Sequence, residues 1–316
     1  MQILGEPDGR PELVALRALK LGDLLVAVPA IAGIRRANPE HRLVLAVPGW
    51  LDPVVDLVPG VDALLPTPGL DNPLPLPPGR VDTVVDLHGG PASRRLLEAL
   101  APRRRVGHRA EGWDGPEWED GVLERYRWAR LVTAHGMPAD PDEVALDRPS
   151  TPSPAPGAVV VHVGAFYGCR AWPVERFAAV ARALAAAGHR VVVTGSARER
   201  ARAQVAADLA GIDEGAVLAG RMDLAELAAL VADAALVVSV DTSVPHLASA
   251  YRTPSVVIFG PAPVEEWGPP SNGPHLVLTR AELRVGDTFG SEPDPALLAV
   301  TADDVLAAAA SLLNGD

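Results

Sequence analysis

The chain has a single cysteine, Cys169, among its 316 residues. One thiol cannot form an intrachain disulfide, so a disulfide framework is excluded and a reducing compartment is expected. No cysteine or histidine pair has the spacing of a zinc site. No apolar run approaches the roughly 18 residues of a membrane span, and residues 1–11 lack the basic and apolar regions of a signal peptide. We therefore expect a cytoplasmic protein with at most peripheral contact at the inner face of a membrane.

The chain has fewer basic residues than acidic ones. The 28 lysines and arginines face 40 acidic residues, which gives a net charge of −12 at neutral pH. A nucleic-acid partner is excluded, because such proteins normally present a basic face. The exception is a local basic patch: Arg94, Arg95, residues 103–105, His108 and Arg109. This patch could face a phosphate or an anionic lipid, or it could be a solvated loop.

Length and patterning indicate two domains. A chain of 316 residues with 48% hydrophobic content has material for two cores. Residues 137–157 are rich in Pro, Asp and Ser and have no sustained period, so the predicted domains are 1–150 and 151–316. Strands and helices alternate in both halves, which predicts parallel, doubly wound α/β sheets.

The predicted strands are 14–19, 42–47, 61–65, 81–87, 105–107, 159–163, 190–194, 216–218, 236–240, 255–259 and 276–278. The predicted helices are 24–38, 93–100, 123–135, 173–187, 197–210, 224–232, 245–251 and 302–313.

Residues 236–268 are the most informative stretch. An apolar run ends at the polar turn 241–243, and a short helix follows from Pro245. A strand, a polar turn and a helix start form an anion site in open α/β sheets, because free backbone N–H groups and the helix dipole converge there. Asp241 and His246 on this turn suggest a phosphorylated ligand with sugar-like hydroxyls. The alternative is that Thr242 or Ser243 merely caps the helix.

The turn after the first strand carries Asp23, next to the tight-turn residue Gly22. Asp23 could be a general base, which needs a carboxylate within hydrogen-bond reach of a substrate hydroxyl, or a helix N-cap. The turn has no Gly-x-Gly-x-x-Gly, which argues against a dinucleotide oxidoreductase. In the second half, Arg170 follows two glycines that let the backbone approach a ligand, and it could bind a diphosphate. The alternative is an ordinary surface arginine.

Two further residues follow strand ends in the second half. Glu199 could bind a ribose diol, and Met222 could offer a soft apolar face to a base. Either could instead be an ordinary helix-start or core residue. Asp140-Pro141-Asp142 matches the metal-binding Asp-x-Asp pattern formally, but it lies in the Pro-rich linker and not after a strand.

Together these segments resemble glycosyltransferase family 9, the ADP-heptose:lipopolysaccharide heptosyltransferases, over essentially the whole chain. The resemblance rests on four motifs: Gly22-Asp23 with Val28-Pro29-Ala30, Trp172-Pro173, Asp241-Thr242 with His246, and Phe259-Gly260-Pro261. It implies the GT-B fold, with two Rossmann-like domains facing across a cleft, and inversion at the anomeric centre. It also implies that no cofactor and no metal bound through Asp-x-Asp is required.

The resemblance assigns roles to individual residues. Asp23 matches the catalytic base. Arg170 stands where the family usually has a diphosphate-binding lysine. Thr242, Ser243 and His246 match the phosphate-binding turn, with Ser243 in place of a usual glycine.

The donor's sugar and nucleoside are assigned to other positions. Asp241 matches a ligand of the sugar hydroxyls, Glu199 a ribose-side acid and Met222 a residue beside the adenine. Ala165 and Phe166 match loop positions that lie against the nucleotide-sugar, and here they replace a hydroxyl-bearing pair.

The expected function is that of an inverting glycosyltransferase. It would move a heptose-like sugar from an ADP-sugar to a hydroxyl of a glycan or lipid-linked glycan. Two alternatives stay open: a GT-B transferase that uses a UDP- or GDP-sugar, and a non-catalytic nucleotide- or glycan-binding protein of the same fold.

Overall fold

The computed structural model describes residues 2–314. The chain forms two compact units, divided between Asp147 and Arg148. Each unit contains a five-stranded sheet in which every pairing is parallel. The predicted doubly wound α/β fold with two Rossmann-like domains is thereby confirmed.

The first unit has the strand order β3-β2-β1-β4-β5. Its strands are β1 (Glu12–Leu16), β2 (Arg42–Val47), β3 (Ala63–Pro66), β4 (Val81–Asp86) and β5 (Arg104–Val106). Its helices are α1 (Leu21–Leu25), α2 (Val28–Ala37), α3 (Asp52–Val55), α4 (Pro91–Glu98) and α5 (Glu124–Ala134).

The second unit has the strand order β10-β9-β8-β6-β7. Its strands are β6 (Val159–His162), β7 (Val191–Thr194), β8 (Leu236–Val240), β9 (Ser255–Ile258) and β10 (His275–Leu278). Its helices are α6 (Val174–Ala186), α7 (Arg200–Ala210), α8 (Leu224–Ala232), α9 (Ser243–Tyr251), α10 (Val264–Trp267), α11 (Pro295–Leu298) and α12 (Ala302–Asn314).

The strands form because their sequences are short apolar runs that are buried on both faces. Every residue of β1, β2, β6, β7, β8 and β9 is buried. Helices cover both faces of such parallel sheets, so their strands lack the polar alternation of a half-exposed sheet. No helix among residues 2–314 combines the length and the apolar character that a membrane crossing requires.

Several sequence-based boundaries are wrong, and three of them have a clear physical reason. The single helix predicted at 24–38 is two helices, α1 and α2, because Pro29 has no N–H to donate to the carbonyl of Leu25. The first strand ends at Leu16 and not at residue 19, since the amide of Leu19 already turns back to the carbonyl of Arg17. The strand predicted at 216–218 is reduced to an isolated bridge between Val217 and Val193, after a short 3₁₀ helix.

The strand orders locate the two places where ligands are expected. In the first unit the winding reverses between β1 and β4, and in the second unit it reverses between β6 and β8. Open α/β sheets bind ligands beyond the carboxyl ends of the strands at such switch points. The turns that follow these four strands are therefore the expected ligand-binding positions.

Candidate functional site

An ion pair joins the two turns at the switch point of the second unit. Arg170, after β6, places Nη1 3.0 Å from Oδ2 of Asp241, after β8. Asp241 is buried, whereas the Arg170 side chain is 24% exposed. Burial raises the pKa of Asp241 to about 6, although the charge of Arg170 acts in the opposite direction. A partly exposed cation thus lies over a buried carboxyl group, which is a suitable place for an anion to enter.

The first turn of α9 lies directly after Asp241. Thr242 occupies the N-cap position, but its side chain caps no backbone amide and lies 3.4 Å from the carbonyl oxygen of Val240 instead. The interpretation of Thr242 or Ser243 as a side-chain helix cap is therefore wrong. The amides that a cap would satisfy remain at the start of a nine-residue helix, where they and the helix dipole favour an anion. His246 is half-buried in this first turn.

Glu199 connects two neighbouring turns of the second unit. Its Oε1 accepts the amide of Ala165 at 2.6 Å, and its Oε2 accepts the amide of Ser196 at 2.7 Å. A Cβ atom on Gly164 would lie 2.5 Å from Nε2 of His162, so this close packing requires glycine. Burial lowers the pKa of His162 to about 4, with Glu199 opposing the shift. His162 is thus a neutral residue beneath the loop.

The remaining predicted site residues of the second unit lie in turns at the same carboxyl edge of the sheet. The amide of Gly220 donates to the carbonyl of Gly195 at 3.0 Å, which ties the turn bearing Met222 to the turn bearing Glu199. Met222 and Ala165 are half-buried, and Phe166 is 64% exposed. Strand order therefore brings the predicted donor-binding positions to neighbouring turns at the carboxyl edge of one sheet.

Residues 291–300 pack against the loop that carries Arg170 and form hydrogen bonds with it. A Cβ atom on Gly168 would overlap the carbonyl oxygen of Ser291, so the two backbones are in close contact. The amide of Asp294 donates to the carbonyl of Cys169 at 3.0 Å. The indole of Trp172 donates to the carbonyl of Val300, also at 3.0 Å. The position of Arg170 thus depends on residues far along the chain.

Asp23 lies in the first unit, at the turn between β1 and α1. The N-cap of α1 is Lys20 and not Asp23, which corrects the N-cap alternative. Asp23 is the third residue of the helix, and its Oδ2 accepts the amide of Lys20 at 3.2 Å. Its Oδ1 lies 3.6 Å from Nη2 of Arg17, and its side chain is 25% exposed. The carboxylate is oriented from both oxygens and remains accessible.

Arg17 is not among the predicted site residues, because it falls inside the strand predicted at 14–19, whereas the strand ends at Leu16. Its guanidinium is buried and donates to the carbonyl oxygens of Asp23 at 2.8 Å and Leu87 at 2.5 Å. It also lies 3.8 Å from the carboxylate of Glu124 and 4.5 Å from the ring centroid of Trp128. Arg17 therefore links the turns after β1 and β4. A charged residue at the end of a buried strand was the available signal.

Asp86 organises the turn after β4. Its Oδ1 accepts the amides of His88 at 3.1 Å and Gly89 at 2.9 Å, and its Oδ2 accepts the hydroxyl of Ser93 at 2.9 Å. Burial raises the pKa of Asp86, and these hydrogen bonds oppose the shift. Burial lowers the pKa of His88, with a further contribution from the positive charge of Arg17.

Just under half of the chain, including most of the second unit, matches a known family model. Residues 135–284 match the model of glycosyltransferase family 9 (heptosyltransferase). Lipopolysaccharide heptosyltransferase 1 of Pseudomonas aeruginosa is 31% identical over 182 residues, which are 56% of this chain and 48% of that protein. The chain thus spans about half the length of this curated relative.

Two solved structures resemble almost the whole chain. Escherichia coli ADP-heptose lipopolysaccharide heptosyltransferase II superposes with a TM-score of 0.78 at 21% identity, covering 96% of this chain and 99% of that one. E. coli heptosyltransferase WaaC with ADP gives a TM-score of 0.70 at 18% identity, covering 95% and 99%. These likenesses show a shared fold, the GT-B type with two Rossmann-like units.

Proposed function

We propose that the chain is an inverting glycosyltransferase of family 9, the family whose model matches residues 135–284. It moves a heptose-like sugar from an ADP-linked donor to a hydroxyl group of a glycan or glycolipid acceptor. The ADP in the similar E. coli structure supports the choice of nucleotide. The observation that carries the proposal is the accessible carboxylate of Asp23 at the switch point of the first unit.

Asp23 is the proposed general base. A carboxylate can accept the proton of the acceptor hydroxyl while the oxygen attacks the anomeric carbon, if it lies within hydrogen-bond reach. The Lys20 amide and the Arg17 guanidinium approach different oxygens of this carboxylate. These contacts fix the orientation of the carboxylate.

The departing diphosphate is assigned to Arg170 and the first turn of α9. Thr242, Ser243 and His246 surround the backbone amides at this helix start. Charge that develops on the leaving oxygen is stabilised by fixed donors, each typically worth about 2.7–4 kcal/mol in transition-state stabilisation. With a cation and a helix dipole in this role, we propose that the reaction needs no metal ion.

The other donor contacts follow from the same turns. Asp241 holds a hydroxyl of the donor sugar, and Glu199 contacts the ribose. Met222 lies against the adenine, while Ala165 and Phe166 flank the nucleotide-sugar. Support comes from the hydrogen bonds that tie these turns together at one sheet edge.

The decisive experiment is Asp23→Asn, assayed for sugar transfer from ADP-heptose and titrated with ADP in a calorimeter. The amide keeps the shape of the side chain but cannot accept the proton, so we expect most of the turnover to be lost while ADP affinity stays within a few-fold. Asp71→Asn is the matched control, because Asp71 is an exposed aspartate of the same unit. It should keep wild-type turnover.

Near-normal transfer by the Asp23→Asn variant would rule out Asp23 as the base. If the wild-type chain binds ADP but transfers no sugar to any acceptor, the non-catalytic alternative replaces the enzyme.

A further inference from the structure

The three most exposed large apolar side chains among the described residues lie in two loops of the second unit. Val285 is 73% exposed, Phe289 is 72% exposed and Phe166 is 64% exposed. Single apolar residues are common on protein surfaces, but a group of them often marks a binding site. Phe166 belongs to the loop that carries Arg170, and the other two belong to residues 284–294, here called loop 284–294.

Tyr167 connects the rings of Phe166 and Phe289. The rings of Tyr167 and Phe289 are edge-on with centroids 5.1 Å apart, and those of Phe166 and Tyr167 are edge-on at 4.8 Å. Aromatic pairs prefer this arrangement, because the positive edge of one ring meets the negative face of the other. The three rings thus form an aromatic row. Tyr167 is also the N-cap of the 3₁₀ turn that ends at Arg170, so the row is attached to the proposed diphosphate-binding turn.

The buried carboxylate of Asp294 holds loop 284–294 in place. Asp294 is only 4% exposed, and its Oδ2 accepts the amides of Val285 at 3.1 Å and Gly286 at 3.2 Å. The amide of Cys169 donates to the carbonyl of Gly290 at 3.0 Å, which joins this loop to the one that follows β6. The exposed rings are therefore carried by a constrained backbone.

The contacts of loop 284–294 lie on both sides of β8. Nε of Arg284 donates to the carbonyl of Gly260, after β9, at 3.0 Å, whereas Gly290 contacts the loop after β6. In the sheet, β8 lies between β9 and β6, and the turn after β8 carries Asp241, the proposed ligand of the donor sugar. The adenine and ribose are assigned to the turn after β7 and its neighbour, on the other side of β6. Loop 284–294 thus belongs to the sugar end of the donor site.

We propose that Phe289 contacts the sugar of the nucleotide-sugar donor, and that the aromatic row forms an apolar wall at this end of the site. A sugar ring presents C–H groups on its faces, and their slight positive charge suits the negative face of an aromatic ring. The identity of the donor rests on the proposed function. Asp241 then binds hydroxyl groups of the sugar, while Phe289 contacts its apolar face. Phe289 is thus a specificity residue for the sugar, and free ADP does not reach it.

The test is calorimetric titration of the full chain with ADP-heptose and with ADP. For Phe289→Ala we expect the affinity for ADP-heptose to fall about five- to tenfold, the scale of one aromatic contact, and the affinity for ADP to stay within about twofold. Phe289→Tyr keeps the ring and should keep the ADP-heptose affinity. Val285→Ala is the matched control, because Val285 is equally exposed on the same loop but lies outside the aromatic row. It should bind both ligands like wild type.

Because Phe289 is mostly exposed, its truncation should leave Tm unchanged, so a loss of affinity reports on the contact and not on folding. An unchanged ratio of ADP-heptose to ADP affinity in Phe289→Ala, or an equal loss in Val285→Ala, would overturn this inference and leave the proposed function intact. A wild-type dimer in sedimentation velocity that Phe289→Ala dissociates would assign the exposed rings to a second copy of the chain and would also overturn it. If the wild type binds neither ligand, the proposed function fails and this inference fails with it.

Discussion

The guanidinium of Arg170 contacts the buried carboxyl group of Asp241 on one side and is partly exposed on the other. In the described structure its Nη1 contacts Asp241, while its Nε is buried without a hydrogen-bond partner. An entering diphosphate would supply acceptors on its open side. The affinity contributed by Arg170 should therefore depend on the phosphates of the ligand and not on its base or ribose.

This argument predicts that Arg170→Ala weakens ADP binding far more than adenosine binding. Arg170→Lys should recover much of the ADP affinity, since the charge is kept although the bidentate geometry is lost. Arg198→Ala is a suitable control, because Arg198 is an exposed arginine on a neighbouring turn. Calorimetric titration of each variant with both ligands measures the effect. Equal losses for ADP and adenosine would place Arg170 away from the phosphates.

Asp241 predicts a specific pH dependence of stability. Its folded-state pKa of about 6 lies above the ordinary value of 3.8, so between about pH 4 and pH 6 the folded protein binds more protons than the unfolded chain. The contribution of Asp241 is therefore fully present below about pH 4 and is lost as pH rises through 6, by about 1–3 kcal/mol.

Urea denaturation across this pH range, compared between wild type and Asp241→Asn, isolates that contribution. The free energy of unfolding of the variant should fall less between pH 4 and pH 6 than that of wild type. Asp213→Asn, at an exposed aspartate of the same unit, should keep the wild-type dependence. Parallel curves for wild type and Asp241→Asn would show that burial does not raise the pKa of Asp241.

At the scale of elements, the loop between β6 and α6 should be sensitive to a single methyl group. Gly168→Ala would drive Cβ into the carbonyl oxygen of Ser291, so one of the two backbones must move. Overpacking of this kind typically costs about 1–3 kcal/mol of stability, and the displaced loop should also weaken ADP binding. Gly215→Ala is the matched control, because the methyl group that alanine adds there would have no neighbour within 4 Å. Denaturation and ADP titration of both variants test this, and wild-type values for Gly168→Ala would refute the close contact.

Elements bounded by clear turn residues could be predicted from sequence alone. The bounds of β2, α8 and β8 agree with the prediction, because each is an apolar run or amphipathic segment that ends at a proline or an aspartate. The short helices α3, α10 and α11 were missed, since four residues are too few to establish a helical period. The interruption between α1 and α2 was missed although Pro29, which has no N–H to donate, marks it in the sequence.

The site was predictable as a set of turns but not as a set of contacts. Residues after strand ends could be chosen because parallel sheets bind ligands there. The pairing of Arg170 with Asp241, however, spans 71 positions and depends on β6 lying next to β8. Local pattern does not determine strand order. Arg17 was missed as a site residue for a similar reason: its significance comes from burial and from neighbours that are distant in sequence.

At the scale of the whole molecule, the choice of nucleotide can be read from thermal stability. A ligand that binds only the folded chain stabilises it by RT ln(1 + [L]/Kd), so the nucleotide with the highest affinity gives the largest shift in Tm at equal concentration. We expect ADP to raise Tm more than UDP or GDP. Scanning fluorimetry with the three diphosphates tests this. A larger shift with UDP or GDP would favour the alternative donors and leave the assignment of Asp23 unaffected.

The support of the Arg170 loop by the segment around residues 290–300 also has a consequence for biosynthesis. The bond between Trp172 and Val300 joins residues 128 positions apart, and domains fold as their parts leave the ribosome. The strand β6 can form early, but the loop beyond it gains these contacts only after residues 291–300 have been translated. A nascent chain should therefore complete this part of the proposed nucleotide-binding surface only after all five strands of the second unit have been synthesised.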